Sequence, residues 1–522
     1  MMQVFISVLL AAVGVLMPQA TADANLVFDP EGYNLGRYGP DPHQYYHSAS
    51  IASPLLLVNQ WDPAGIDNAS HIFLTLDSPV DGGSAGPVIY RSDDLSLVYS
   101  EPRWPVVHNA YAGRFNGSDY LVYIGQDSLA HQHGPSRNCL LYDSTYTLAY
   151  NVSSHGPGSA SMGTHECQLT TNGSVVVILT QDMPFDLTAV GGPKHGKILD
   201  NIVQEIDIES NKLLWTWRAS EHYNLSESYA EYEPGPWAYD YIHLNSAERT
   251  PEGNFLLSSR HTHSIVYVDR ASRAIKWRLG GKKNSFFDVS GGKATDFAWQ
   301  HHARFDVIDR TQLTLFDNHG NSSSIGCEAN CTRGKHVELN YGNLTARLVS
   351  EFYHPQKLVS AFEGSYQRLD SGNVFLGWGA NPTFTEHNAT TGECVLDVQF
   401  DAWRPEMGYP VNYRAFKMNW KAYPTWDPEI AAHRSHPDGT VKVYVSWNGA
   451  TEVTMWQVLV GSTRDTVTQS AIAVPRAGFE TEISLDSGLP FIRAAALDGN
   501  GKVLGTTAII QLETSEESAG LP

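Results

Sequence analysis

Along the middle of the chain, short apolar runs opened by glycine or a polar turn recur at regular intervals. They are HIFLTL from His71, DYLVYIG from Asp119, GSVVVILT from Gly173, GNFLLSS from Gly253, TQLTLFDN from Thr311 and GNVFLGWG from Gly372. Each is followed, after a variable loop, by a pair of runs joined by a tight polar turn, as in CLLYDSTYTLAY from Cys139 or SIVYVDRASRAIKW from Ser264. Runs of this length with β-branched and aromatic residues, bounded by turn residues, predict strands. Repetition in the same order predicts radially arranged units and not one continuous sheet. A further strand precedes most units. The pattern predicts an all-β fold: a six-bladed β-propeller over residues 66–405, with stacked β-sandwiches as the alternative.

The strand that opens each unit would lie innermost. Five openings can be read: HNAYAGRF from His108, HECQLT from His165, YIHLNSAER from Tyr241, WQHHARF from Trp299 and EGSYQRLD from Glu363. Each carries an ionisable residue near its start, and innermost strands crowd together at the axis. His108, His165, His243, His301 and Glu363 are therefore expected to converge, with His108 the one read as structural. Neighbouring strand residues point to opposite faces, so His301 and His302 should not serve the same site.

Residues 23–65 are expected to contribute to the sandwich or to propeller closure. Residues 406–438, rich in proline and aromatics with little periodicity, read as an extended connection. Alternating runs over residues 439–522 predict a small β-sandwich-like domain, with a hairpin signal at Asn448-Gly449.

Residues 1–22 change the compartment. An apolar stretch at 4–17 followed by Pro18 and Ala20-Thr21-Ala22 reads as a signal peptide cleaved after Ala22, with an uncleaved anchor as the alternative. Nine sequons, at Asn68, Asn116, Asn151, Asn172, Asn224, Asn321, Asn330, Asn343 and Asn388, fit the secretory pathway, N-glycosylation and an extracellular destination. In that setting Cys327 could close a small loop with Cys331, and Cys139 could meet Cys167; at least one of the five cysteines is left over. A formal charge of -21 and the absence of a basic stretch argue against nucleic acid. No membrane partner is expected after cleavage of the signal peptide, and oligomeric state is left open.

His165-Glu166, the stretch from Tyr241 through His243 to Asn245, Leu257-Ser258-Ser259-Arg260, Trp277-Arg278-Leu279-Gly280-Gly281, Gln300-His301 and Ser446-Trp447-Asn448-Gly449-Ala450-Thr451 together resemble the fungal branch of the arylsulfotransferase-like family. The resemblance spans nearly the whole mature chain and implies a six-bladed propeller with a sandwich appendage. It places the transiently sulfated histidine on His301 and the other anion-binding and acid/base positions on His165, His243 and Arg260. It departs at Cys167, where an aromatic is common. Its sandwich is C-terminal where the bacterial one is N-terminal, so no dimer arrangement carries over.

Sulfuryl transfer needs a fixed cation and a nucleophile that is neutral at working pH; arginine and imidazole supply these without metal or diffusible cofactor. The expected partner is a small aromatic molecule. Some fungal relatives are natural-product pericyclases that join a quinone methide and a terpene by a hetero-Diels-Alder step, and the same cluster could serve that chemistry. A non-catalytic ligand-binding propeller is the third reading.

Overall fold

The computed structural model describes residues 23, 26–39, 41–77, 86–101, 107–126, 137–156, 160–306, 310–403, 411–434 and 440–512. Residues 1–22, read from the sequence as a signal peptide, lie outside them. No helix among the described residues is long and apolar enough to cross a membrane.

The protein is all-β: a six-bladed propeller with a C-terminal β-sandwich. Blade 3 shows the plan, with Ser161–Leu169 innermost, then Ser174–Phe185, Gly196–Asp207 and Leu213–Arg218, each antiparallel to its neighbour. The innermost strands of blades 2, 4, 5 and 6 are Val107–Phe115, Leu244–Arg249, His301–Phe305 and Ser365–Arg368. Fully buried strand faces such as Val175, Val177 and Leu179 pack against neighbouring blades, which explains the nearly continuous apolar runs.

Blade 1 departs from the sequence reading. Its outer strands are His71–Asp77, Gly86–Arg91 and Leu97–Ser100, but its innermost strand comes from beyond residue 410: Val411–Asn412 and Phe416–Met418 pair with His71–Asp77. Part of the stretch read as an extended connection is therefore propeller. A strand interrupted after two residues is too short to show an alternating pattern. At the other end, Leu57–Trp61 from the N-terminal segment pairs antiparallel with Cys394–Gln399 as a fifth, outermost strand of blade 6. The two ends of the propeller sequence are thus paired twice.

The sandwich faces Glu429–Arg434, Val441–Ser446 and Thr481–Leu485 against a second sheet built around Met455–Gly461 and Phe491–Leu497. Val443, Val445, Trp456, Val458, Ile483 and Ile492 fill the space between. Asn448-Gly449 is not the turn of a hairpin, because the strand before it pairs with Thr481–Leu485 and not with the strand that follows. The dipeptide instead docks on the propeller. Asn448 brackets Ser100 through its side chain, and the Gly449 amide donates to the Val98 carbonyl at 2.7 Å. Gly449 has φ +91, and a Cβ there would lie 2.5 Å from the Tyr146 ring, so glycine answers to docking.

Disulfides join Cys139 to Cys167, between blades 2 and 3, and Cys327 to Cys331; Cys394 is a free thiol.

Candidate active site at the propeller axis

Innermost strands are not regular at their entries. Their registers shift between His108 and Tyr111, Met162 and Cys167, Leu244 and Ser246, and His301 and Arg304. Several non-glycine residues beside these shifts hold left-handed backbone: Asn109, His243, Trp299, His302 and Glu363 have φ between 48 and 62°. Bulges re-aim side chains, and backbone strain of ~1–3 kcal/mol per residue persists where surrounding structure enforces it. The result is a ring of polar side chains facing the axis.

His165 and His243 meet there, Nε2 to Nε2 at 3.1 Å. Nδ1 of His243 donates to the Asp240 carboxylate at 2.5 Å, which leaves Nε2 as acceptor for a proton held by His165. Burial pushes the Asp240 carboxyl up, but His243, then His261 and His165, outweigh it and hold it at about 2. The three residues form a proton relay from a permanently charged carboxylate to an imidazole. Burial first, then the neighbouring His243, pushes His165 well below the ordinary histidine range, so it is neutral at rest.

Arg260 bounds the same space. Its Nη1 donates to His261 Nε2 at 2.7 Å and its Nη2 to the Ala361 carbonyl at 3.0 Å, while its guanidinium lies 5.0 Å from the centre of the Trp299 ring. Asp240, His243 and His261 each offer a donor atom within 4.8 Å of the others, a spacing that would admit a metal ion. The hydrogen bonds answer otherwise. Arginine can only donate, so His261 carries its proton on Nδ1, which gives it to the Asp240 carbonyl at 2.5 Å. An imidazole fixed in that tautomer is a poor ligand through Nδ1, and a guanidinium alongside disfavours a second cation.

His301 is 2% exposed. The Asn318 amide donates to the Ser360 and Glu363 carbonyls, so its oxygen faces His301 Nδ1 at 2.8 Å and fixes the proton there. Nε2 therefore bears the lone pair, and it accepts from the Glu363 backbone N–H at 3.2 Å. Burial, then Arg260, pushes His301 well below the ordinary range. His243 and His165 also act on it, so the four predicted residues share one electrostatic environment. His302 turns away to the backbone of Tyr366 and has no part in this set. His108 reaches the axis edge-on to Tyr413 at 5.5 Å, while Glu363 contributes its backbone.

Residues 131–401 match the arylsulfotransferase (ASST) family, over half the chain. The chain belongs to the arylsulfotransferase family. No curated protein matches it. Among solved structures it is similar to a protein of unknown function from Bacteroides caccae, at 10% identity and TM-score 0.39, over 67% of this chain and 98% of that one. It is also similar to the Dos1 propeller, at 10% identity and TM-score 0.28 over 82% and 95%, and to Sqt1 from Saccharomyces cerevisiae, at 7% and 0.29 over 83% and 84%. Such likeness is too slight to bear on chemistry, and the propeller assignment rests on the strand pairing above.

Beneath the axial ring of this arylsulfotransferase-family protein lies a buried ionic clamp that the sequence did not reveal. Glu166 of blade 3 pairs with Arg414 of blade 1 at 3.0 Å and Arg304 of blade 5 at 2.6 Å, and accepts from the Ala247 amide of blade 4. Arg414 also donates to the carbonyls of His165 and Asn245. The clamp thereby fixes the backbone from which His165 projects. Asp240, His261, Trp299 and Asn318 were likewise missed as site residues. Trp299 alone had a signal, as the aromatic two residues before His301.

Proposed function

We propose that the axial pocket transfers a sulfuryl group from one phenol to another through His301. The observation that carries this reading is a neutral imidazole whose proton is held on Nδ1 by Asn318, sharing its surroundings with the cationic Arg260 and the Asp240–His243–His165 relay. Nε2 of His301 attacks the sulfur of an aryl sulfate, the sulfur–oxygen bond to the aryl group breaks, and the aryl oxygen departs as a phenolate beside the Arg260 guanidinium. In the second half the acceptor phenol gives its proton to the unprotonated Nδ1 of His165 and attacks the same sulfur, releasing His301, and the relay then loses that proton to solvent. Arg260 binds the anionic sulfuryl oxygens throughout, and Trp299 offers an aromatic wall to the aryl group. Attack requires Nε2 to leave the Glu363 N–H, a bond already long at 3.2 Å.

A pericyclic step, such as hetero-Diels-Alder joining of a quinone methide and a terpene, is the second reading. It is favoured by one feature: both ring nitrogens of His301 are hydrogen-bonded at rest, as suits a residue that orients or polarises.

His301→Ala decides between them. Loss of a covalent nucleophile is expected to reduce phenol-to-phenol transfer ~10³-fold or more. Wild-type protein mixed with an aryl sulfate and quenched rapidly under alkaline conditions should carry one added sulfuryl group on the peptide containing His301. Absence of both adduct and turnover with several reactive aryl sulfates would discard the transferase reading in favour of the second.

A further inference from the structure

Tyr413 lies in the interrupted innermost strand of blade 1, between Val411–Asn412 and Phe416–Met418. Its ring stands edge-on to His108 at 5.5 Å and His165 at 5.8 Å, and the Arg414 guanidinium lies 5.3 Å from its centre. The backbone is held as well: the Tyr413 carbonyl accepts from the Gly364 amide at 3.0 Å. Only 4% of the residue is exposed, yet its hydroxyl has no hydrogen-bond partner among the described residues.

That is an unusual state for a phenol. A buried hydroxyl without a partner costs about 1–3 kcal/mol, and phenylalanine would fill the same volume without that cost. A second donor in the same neighbourhood is also idle: Arg260 Nε–H is buried and unpartnered among the described residues, although both terminal nitrogens of that guanidinium are engaged. The Tyr413 phenol is among the groups whose charge acts on Arg260, so the two sites are electrostatic neighbours. Two idle donors describe a pocket awaiting oxygen atoms that only accept.

We infer that the Tyr413 hydroxyl is a substrate-contacting donor, giving a hydrogen bond to an oxygen of the bound aromatic molecule beside Arg260. This inference rests on the transfer reading only for which oxygen that is: a sulfuryl oxygen or the departing phenolate. On the pericyclic reading the acceptor would be a quinone methide carbonyl. The hydroxyl stays protonated throughout, because burial raises its pKa well above the ordinary phenol value.

The test is Tyr413→Phe, read by binding and stability as well as turnover. With 4-nitrophenol and 4-toluenesulfonate as probes in titration calorimetry, the variant is expected to bind at least one of them ~10-fold or more weakly, with an unchanged or higher melting temperature. Where the protein turns over aryl sulfates, kcat/KM should fall ~10- to 100-fold, below or at the lower edge of what removal of one oxyanion-hole donor costs. Unchanged affinity for both probes would overturn the inference. So would a wild-type protein that binds neither at millimolar concentration, or a variant that melts several degrees lower, since the hydroxyl would then be structural. A protein that binds the probes through Tyr413 but never turns over an aryl sulfate loses the transfer reading and keeps this one.

Discussion

Asp240→Asn isolates the charge at the end of the relay while preserving its shape. The asparagine oxygen can still accept from His243 Nδ1, so the resting tautomer survives; what is lost is stabilisation of the imidazolium that forms when the relay takes a proton. A hydrogen bond to an ionised group contributes ~1.5–3 kcal/mol, against roughly 1 for a neutral one. The Asp240 side chain is 25% exposed, so water screens part of that difference. A loss of at most about 0.5–2 kcal/mol remains, which converts to ~2- to 30-fold in kcat at about 1.4 kcal/mol per decade. KM should change little. Stability supplies an independent readout. The folded carboxyl sits at about 2, below its ordinary 3.8, so it contributes stability above pH 3.8 that disappears as pH falls toward 2. That amounts to ~2 kcal/mol. Between pH 4 and pH 2, urea melts of the wild type should therefore lose about this much more than those of the variant. Transfer rates equal to wild type, together with identical acid profiles, would refute the relay.

Two further outcomes are expected. Glu166→Gln strands Arg304 and Arg414 in the interior and should cost ~3–5 kcal/mol in chemical denaturation, whereas replacing a surface partner such as Asp119, paired with the exposed Arg114, should cost less than 1. If the chain is exported as proposed, protein secreted from eukaryotic cells should begin near Asp23 and lose mass on enzymatic deglycosylation, because eight of the nine sequon asparagines are exposed and Asn388 is half-buried. An unprocessed chain of unshifted mass would end that proposal.

The outer strands of the blades were legible because each is a run of buried residues such as Ile72, Leu74 and Leu76 between polar turns. His165, His243 and His301 were legible as a set because each lies in or immediately before an innermost strand, and the convergence of those strands is a property of the architecture. Asp240 was not. It lies three residues before His243, ahead of the strand that begins at Leu244, in a stretch with no periodicity, and only the folded loop brings its carboxylate to that ring. Arg414 and Tyr413 were missed for a related reason: their strand is broken into pieces of two and three residues and belongs to the first blade, more than three hundred positions away. A hairpin signal misled at Asn448-Gly449 because a left-handed glycine suits close docking as well as it suits a turn.

The double pairing between the two ends of the propeller sequence sets an order of assembly. Blades 2 to 6 each hold four strands from consecutive residues and can form as they leave the ribosome, with Leu57–Trp61 then adding to the outer edge of blade 6, whereas blade 1 waits on the arrival of Phe416–Met418. Such pairings of distant segments are slow, since the loop entropy is lost before any contact repays it. Tyr413 and Arg414 ride on that final strand, so the pocket stays open and unclamped until nearly four-fifths of the chain has been synthesised. A nascent or truncated chain ending before residue 411 would hold all four predicted site residues and still lack a finished axis.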